Sequence, residues 1–397
     1  MASEWIRELL TGIGRGLLQP LLYYGILLAA FVGWRRVKRE RRSFHIRVYD
    51  WFHESKFFWR SGLGVGLLLS LLTVVVGVVV PPDGGLLLFY VTALLGLTLQ
   101  MRLLSPAYTL GLTMLAVAVF TKYEKTKPFF SVYFPKLQET NGASFAVLLA
   151  LLLLAEAWLI LRNGAEGTSP QLAKSKRGLV VGEHWTERLW LVPVLLPIPD
   201  GSISSPFWWW PLFPAGDGSY SFLLVPFLLG FSQRVQGMHP HTSIQLAGQR
   251  VLRLAVVVGA LAVASYWYHS LVIVAAAVSL FGREWIAFWQ HTQDQAQPPY
   301  FAKRAHGLVI LGILPDSKAE KMALKIGEII VRVNGTPVKT EEEFYEALQH
   351  NRAYCKLEVL DENGEIRFVQ GALYEDEHHE LGLLFVRDRE KWTSEAV

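Results

Sequence analysis

Residues 17–33 carry no charged side chain, and neither do residues 61–80. Between them lies WRRVKRERR, residues 34–42, with six positive charges and one negative one. A helix of about 20 apolar residues, rising about 1.5 Å per residue, crosses a hydrocarbon core of about 30 Å. Each flanking run is therefore dimensioned for a bilayer, and the basic stretch must sit at the membrane surface between two spans. Its setting also argues against a nucleic-acid grip, because no exposed aromatics interleave with base-reading residues in a soluble fold.

The rest of the chain extends this pattern. Apolar residues make up 52% of it and charged residues only 18%, below the roughly 25% of an average soluble protein. Hydropathy places seven more candidate spans near 86–103, 105–120, 143–161, 188–199, 219–232, 251–267 and 268–283, about nine in all. The last pair before 121 is split at LQMRLLSP by Arg102 and the Ser105-Pro106 step. The two short runs, 188–199 and 219–232, flank PDGSISSPFWWWPLFPAGDGS, whose Pro, Gly and Trp suit an aromatic belt or a re-entrant segment. The N-terminal segment 1–16 contains acids, no strong basic n-region and no small-residue cleavage site, so the first span is expected to be retained. The one cysteine, Cys355, leaves no pair for a disulfide.

Lys and Arg counts orient the chain. Nine lie in 35–60, one at Arg102, five in 162–188 and three in 233–253, and nine alternating spans put all of them on one face, expected to be cytoplasmic. The four lysines of 121–142 are the exception. Within the basic loop 35–60, Arg35, Arg36, Lys38, Arg39, Arg41 and Arg42 are expected to anchor the topology and lean on anionic lipid.

After the membrane region 17–283 and a Pro- and Gln-containing linker, 284–299, the composition changes. Residues 300–397 hold 13 Lys and Arg against 18 Asp and Glu, so this part is acidic. The stretch GLVILGILPDSKAEKMALKIGEIIVRVNGTPVKTEEEFYEAL, residues 307–348, resembles a PDZ domain. A strand leads to a short helix and then to IIVRVNG, where Asn334-Gly335 supplies a positive-φ turn. Thr340 and Glu343 have capping-box spacing, and Phe344, Ala347 and Leu348 share one helical face. The apolar-Gly-apolar loop that a PDZ domain uses to hold a carboxylate is absent before Gly307. It occurs instead at the far end, in HELGLLFV, as a circular permutation would give.

The expected fold is thus a polytopic α-helical membrane protein followed by a small α+β PDZ domain, residues 300–387, circularly permuted in strand order, and a tail, 388–397. The resemblance implies a peptide groove with Leu381, Gly382 and Leu383 at the carboxylate loop, Phe385 along the receiving strand, and Phe344 and Leu348 opposite. The alternative is that Leu381, Leu383 and Phe385 only close the domain core, since Glu380 would repel a carboxylate.

No catalytic set is apparent. HESKF, residues 53–57, lacks the second His of a His-Glu-x-x-His zinc helix, His239 and His241 form only a loop pair, and Gly-x-Ser-x-Gly is missing. No metal or cofactor is expected. Glu156, inside an apolar run, is a default functional residue, with a local partner at Arg162 the simpler reading.

A basic first loop, GWRRVKRERRSFHIRVYDWF, followed by many spans and one C-terminal PDZ domain resembles the MinJ family of cell-division topological determinants of Bacillus-type bacteria. That resemblance implies a non-enzymatic scaffold at septum and poles, multi-pass in the cell membrane with its PDZ domain cytoplasmic. Its implied partners are DivIVA-like and MinD-like proteins, other divisome membrane proteins and anionic lipid, with no nucleic acid. A PDZ-containing component of secretion or regulated proteolysis is the other reading.

Overall fold

The computed structural model describes residues 2–123, 133–135, 137, 140–205, 207–216, 218–350, 354–361, 363–372 and 381–386. Most of the 121–142 loop, Glu380 and the 388–397 tail lie outside these.

Helix α1 (Ala2–Leu17) meets α2 (Pro20–Phe44) at 46°, with Pro20 at the first position of α2, where a missing N–H costs nothing. Next come α3 (His53–Val76), α4 (Pro82–Leu97), α5 (Pro106–Tyr123) and α6 (Gly142–Leu159), the last ending in a π-turn, Ile160–Gly164. A three-stranded sheet follows, β1 (Ser169–Lys174), β2 (Val180–Ser204) and β3 (Ser219–Val235), and then α7 (Pro240–Ala264) and α8 (Leu271–Ala296). Among the described residues, four segments are long and apolar enough to cross a membrane: α3, α6 with its π-turn, α7 and α8. The bent α1–α2 pair makes a fifth if it is one span. Helices α4 and α5 are shorter apolar helices.

The runs 188–199 and 219–232 depart from expectation. They are not helical spans but the two long strands of a hairpin, paired antiparallel from His184↔Val235 to Pro199↔Tyr220. Proline decides this. Pro193, Pro197, Pro199 and Pro226 would each remove a helical hydrogen bond and collide with the preceding turn, at about 3 kcal/mol apiece.

In a strand those prolines fit because of where they fall. Backbone groups of alternate residues point to opposite edges, and in β2 the odd-numbered residues face away from β3. Leu195 demonstrates the direction, donating its N–H to Ser70 Oγ at 2.8 Å and accepting from Thr73 Oγ1 at 2.8 Å, both on α3. Pro193, Pro197 and Pro199 share that outward set, so the edge that lacks a strand neighbour also lacks three donors. The Pro197 carbonyl accepts from Val80 N–H at 3.0 Å. A sheet edge surrounded by apolar helices needs such partners.

The linker expected at 284–299 is instead helical as far as Ala296, as the end of α8. Asp294 there accepts from the N–H groups of Gln236 and Gly237 at 2.8–3.1 Å, tying α8 to the end of β3.

The C-terminal domain contains β4 (Leu308–Ile313), a single helical turn α9 (Lys318–Lys321), β5 (Ile329–Val333), β6 (Thr336–Pro337), α10 (Glu341–Gln349), β7 (Tyr354–Leu360), β8 (Ile366–Ala372) and β9 (Leu383–Phe385). Its main sheet has the order β8-β7-β5-β4-β9, with β6 off β5. Asn334 and Gly335 take positive φ at the β5–β6 turn, as expected. Thr340 Oγ1 accepts from Glu343 N–H, while the Glu343 carboxylate reaches one residue past the cap to Lys339 N–H at 2.7 Å.

Candidate partner-binding site

The six residues expected at the groove come together, and all but Gly382 contribute to a single buried core. Leu381, Leu383 and Phe385 pack with Phe344 and Leu348 of α10, the Phe344 and Phe385 rings lying 5.2 Å apart. Gly382 has φ +80°, and a Cβ there would stand 2.3 Å from Ser317 Cβ, so both conformation and space require glycine. The loop is held from behind, with Leu314 N–H donating to the Gly382 carbonyl at 2.8 Å and Ala319 N–H to the Leu381 carbonyl at 3.0 Å.

Strand β9 ends the sheet, with only β4 beside it among the described residues. Among the described residues its outer edge has no strand partner, and strand addition is a backbone interaction that needs no free side chain. At the other end of α10 a small pocket of about 90 Å³ is lined by Lys303, Leu308, Lys339, Glu342 and Val386. Cys355, buried under this core, has its thiol pushed up to about 12 by desolvation, so it stays a thiol and is inert.

The domain does not hang free. Phe301, Val309, Leu311 and Leu384 pack against Phe44, Val48 and Leu172 of the membrane region. Gly182 N–H donates to the Phe301 carbonyl at 2.8 Å, and a Cβ on Gly182 would lie 2.4 Å from Leu311 Cδ1. His184 closes the joint. Its Nε2 lies 2.9 Å from the Leu311 carbonyl and its Nδ1 2.8 Å from Thr168 Oγ1. A carbonyl can only accept, so Nε2 carries the proton and Nδ1 accepts from the threonine. Complete burial pushes the imidazole down to about 3 despite that carbonyl.

Beneath the joint the stretch expected as a basic loop is instead the C-terminal end of α2, and part of it turns inward. Arg36 is buried; it bonds Glu40 at 2.8 Å, Glu54, and the Gly167 carbonyl at 2.7 Å. Arg188, also buried, grips both oxygens of Glu54 at 2.6 Å. Arg35 and Arg39 share Glu187, at 3.2 and 2.8 Å. The expectation of six lipid-facing cations is corrected accordingly. Lys38, Arg41 and Arg42 are exposed, Arg36 is withdrawn from lipid altogether, and Arg35 and Arg39 are committed to Glu187. The acids that draw them in, Glu54 and Glu187, were missed in the sequence because their partners are distant in the chain. The HESKF motif, read as a failed zinc helix, contains one of them.

Glu156 likewise has a distant partner and not Arg162. It is fully buried, accepts from Ser105 Oγ at 2.6 Å, and pairs with Arg283 of α8 at 3.1 Å.

Comparison with known proteins accounts for this combination. The PDZ-domain family profile matches residues 309–360. Over 388 residues, 98% of this chain and 97% of the relative, the sequence is 42% identical to the cell division topological determinant MinJ of Bacillus subtilis (strain 168). The chain belongs to the MinJ family. It is also 28% identical over 365 residues, 88% of this chain and 90% of the relative, to the probable cell division topological determinant MinJ of Lacticaseibacillus paracasei, and equally to that of Lacticaseibacillus casei (strain BD-II). As a MinJ-family protein it joins a PDZ domain to several apolar helices of membrane-spanning character, a membrane protein of cell division.

Proposed function

We propose that this chain is a non-enzymatic scaffold that marks the division site, linking a DivIVA-like protein at septum and poles to a MinD-like ATPase, with its PDZ domain in the cytoplasm. The observation that carries this reading is the docking of the PDZ domain, through His184 and the Phe301–Leu311 surface, onto the side of the membrane region that bears the basic C-terminal end of α2, residues 35–42. A positively charged face is the cytoplasmic one, and a docked domain holds its open β9 edge at a fixed place beside the membrane. Partners meeting that edge would add a strand to it, with α10 as the opposite wall. The exposed Lys38, Arg41 and Arg42 would rest on anionic lipid.

Two measurements test this. A fluorescently tagged copy in dividing cells should concentrate at septum and poles, and its deletion should lengthen cells; even distribution with normal cell length would sink the proposal. A photo-crosslinking residue at position 342, exposed on α10 beside the groove, should capture a division protein, whereas one at position 366, on the far β8 edge, should not. Equal capture from both positions would remove the groove from the account.

A further inference from the structure

Between α3 and α6 runs a slot of about 900 Å³. Val65, Leu68, Leu151 and Leu154 wall it, and Trp158 stands at its side. Gly64 faces it with open space, since a Cβ there would meet nothing within 4 Å. One end differs in character. Lys56 and Arg60, from the first two turns of α3, converge there with Arg162, from the π-turn that closes α6. The two helix ends are level, because His53 at the start of α3 lies against Gly167 just beyond that turn. This is the end at which the PDZ domain docks.

None of Lys56, Arg60 and Arg162 has an ion pair among the described residues, in contrast to the neighbouring Arg35, Arg36, Arg39 and Arg188. The single carboxylate lining the slot is Glu166, whose Oε1 accepts only a long contact from Asn163, 3.5 Å. The slot therefore has an apolar body of acyl-chain character and a mouth with a surplus of cations at headgroup depth.

We propose that this slot is a binding site for one anionic phospholipid, its acyl chains lying between α3 and α6 and its phosphate held by Lys56, Arg60 and Arg162. Charge complementarity selects the occupant. A zwitterionic lipid brings an ammonium into the same mouth, and an apolar helix of another protein leaves three cations unanswered. The chain would then recognise anionic membrane through a built site, in addition to the exposed cations of the basic loop.

The test uses the full-length chain, purified in detergent and examined by native mass spectrometry after titration with phosphatidylglycerol or phosphatidylcholine. Wild type should retain one phosphatidylglycerol under conditions that strip phosphatidylcholine. Each cation near a lipid surface contributes about a fivefold change in affinity, so R60Q/R162Q should weaken retention roughly 25-fold. Gly64→Leu fills the slot from a position with room for a side chain and keeps every charge; it should abolish retention while leaving the helical circular-dichroism spectrum unchanged. Equal retention of both lipids, or retention in Gly64→Leu matching wild type, overturns the site. So does co-purification of a partner membrane protein whose crosslinks map to Leu68 and Leu154, which would assign the slot to a helix.

Discussion

Among the described residues, several buried charges are answered by residues far along the chain. Glu156 and Arg283 are 127 residues apart and meet at 3.1 Å with both side chains essentially inaccessible. Removing one partner of such a pair strands the other in an apolar interior, whereas replacing both with well-packed apolar groups is often close to neutral. Arg283→Leu should therefore lower the unfolding free energy by about 3–5 kcal/mol, and the double variant E156L/R283L should recover most of that. Denaturant titration in mixed micelles measures both; a double variant as unstable as the single one would show that Ser105 and packing, not the counter-charge, hold Glu156. The pairing is illegible in sequence, since nothing marks Arg283 as the partner in place of Arg162, six residues away.

At the scale of elements, the hairpin β2–β3 is sealed by glycines on the helices beside it. Gly62 and Gly66 of α3 bring that helix onto the Leu191 and Pro193 carbonyls, and Gly12 and Gly16 of α1 do the same at Phe222 and Leu224 on the other edge. A Cβ at Gly62 would fall 1.8 Å from the Leu191 oxygen, so Gly62→Ala must push the helix off the strand. Overpacking of this kind costs about 1–3 kcal/mol. Two residues on, Gly64→Ala meets no atom and should stabilise the same helix by about 0.5–1 kcal/mol. The opposite signs are readable as shifts in apparent Tm in detergent, and a loss of stability in Gly64→Ala would contradict this account of the helix–strand seam. The i, i+4 glycine spacing puts both glycines on one helix face and lets a neighbour approach closely. That the neighbour is a strand edge could not be read without the hairpin.

For the whole molecule, the joint between PDZ domain and membrane region contains a titratable group. His184 is neutral when docked, held down to about 3, and an undocked histidine titrates near 6.5. Between these values the undocked form binds more protons, so docking weakens as pH falls through the window and is independent of pH above about 6.5. The nearby Arg36 and His239 act in the same direction, each repelling a charged imidazole. At pH 5 the loss should reach about 2 kcal/mol, from about 1.36 kcal/mol per unit. Hydrogen exchange at residues 181–186, corrected for intrinsic rates, should be faster at pH 5 than at pH 7.5, and His184→Gln should remove most of that difference. Exchange independent of pH in the wild type would mean that the domain never leaves its seat.

Local chemistry wrote part of this protein directly into the chain. Charge-free runs long enough for a bilayer, the Asn334-Gly335 turn, the Thr340 cap and the apolar face of Phe344, Ala347 and Leu348 each depend on residues within a few positions of one another. So the long apolar helices and the PDZ core were legible, and the six residues read as a groove lie together, five of them in the buried core. Hydropathy alone misread 188–199 and 219–232, because apolarity reports burial and carries no information about the backbone's hydrogen-bond partners; only the position of each proline relative to the strand edge does. The inward turn of Arg36, the seating of the PDZ domain on His184 and the slot between α3 and α6 were decided by tertiary structure. They depend on groups separated by from about twenty to more than a hundred residues, and a one-dimensional pattern specifies the chemistry of such groups without specifying which of them will meet.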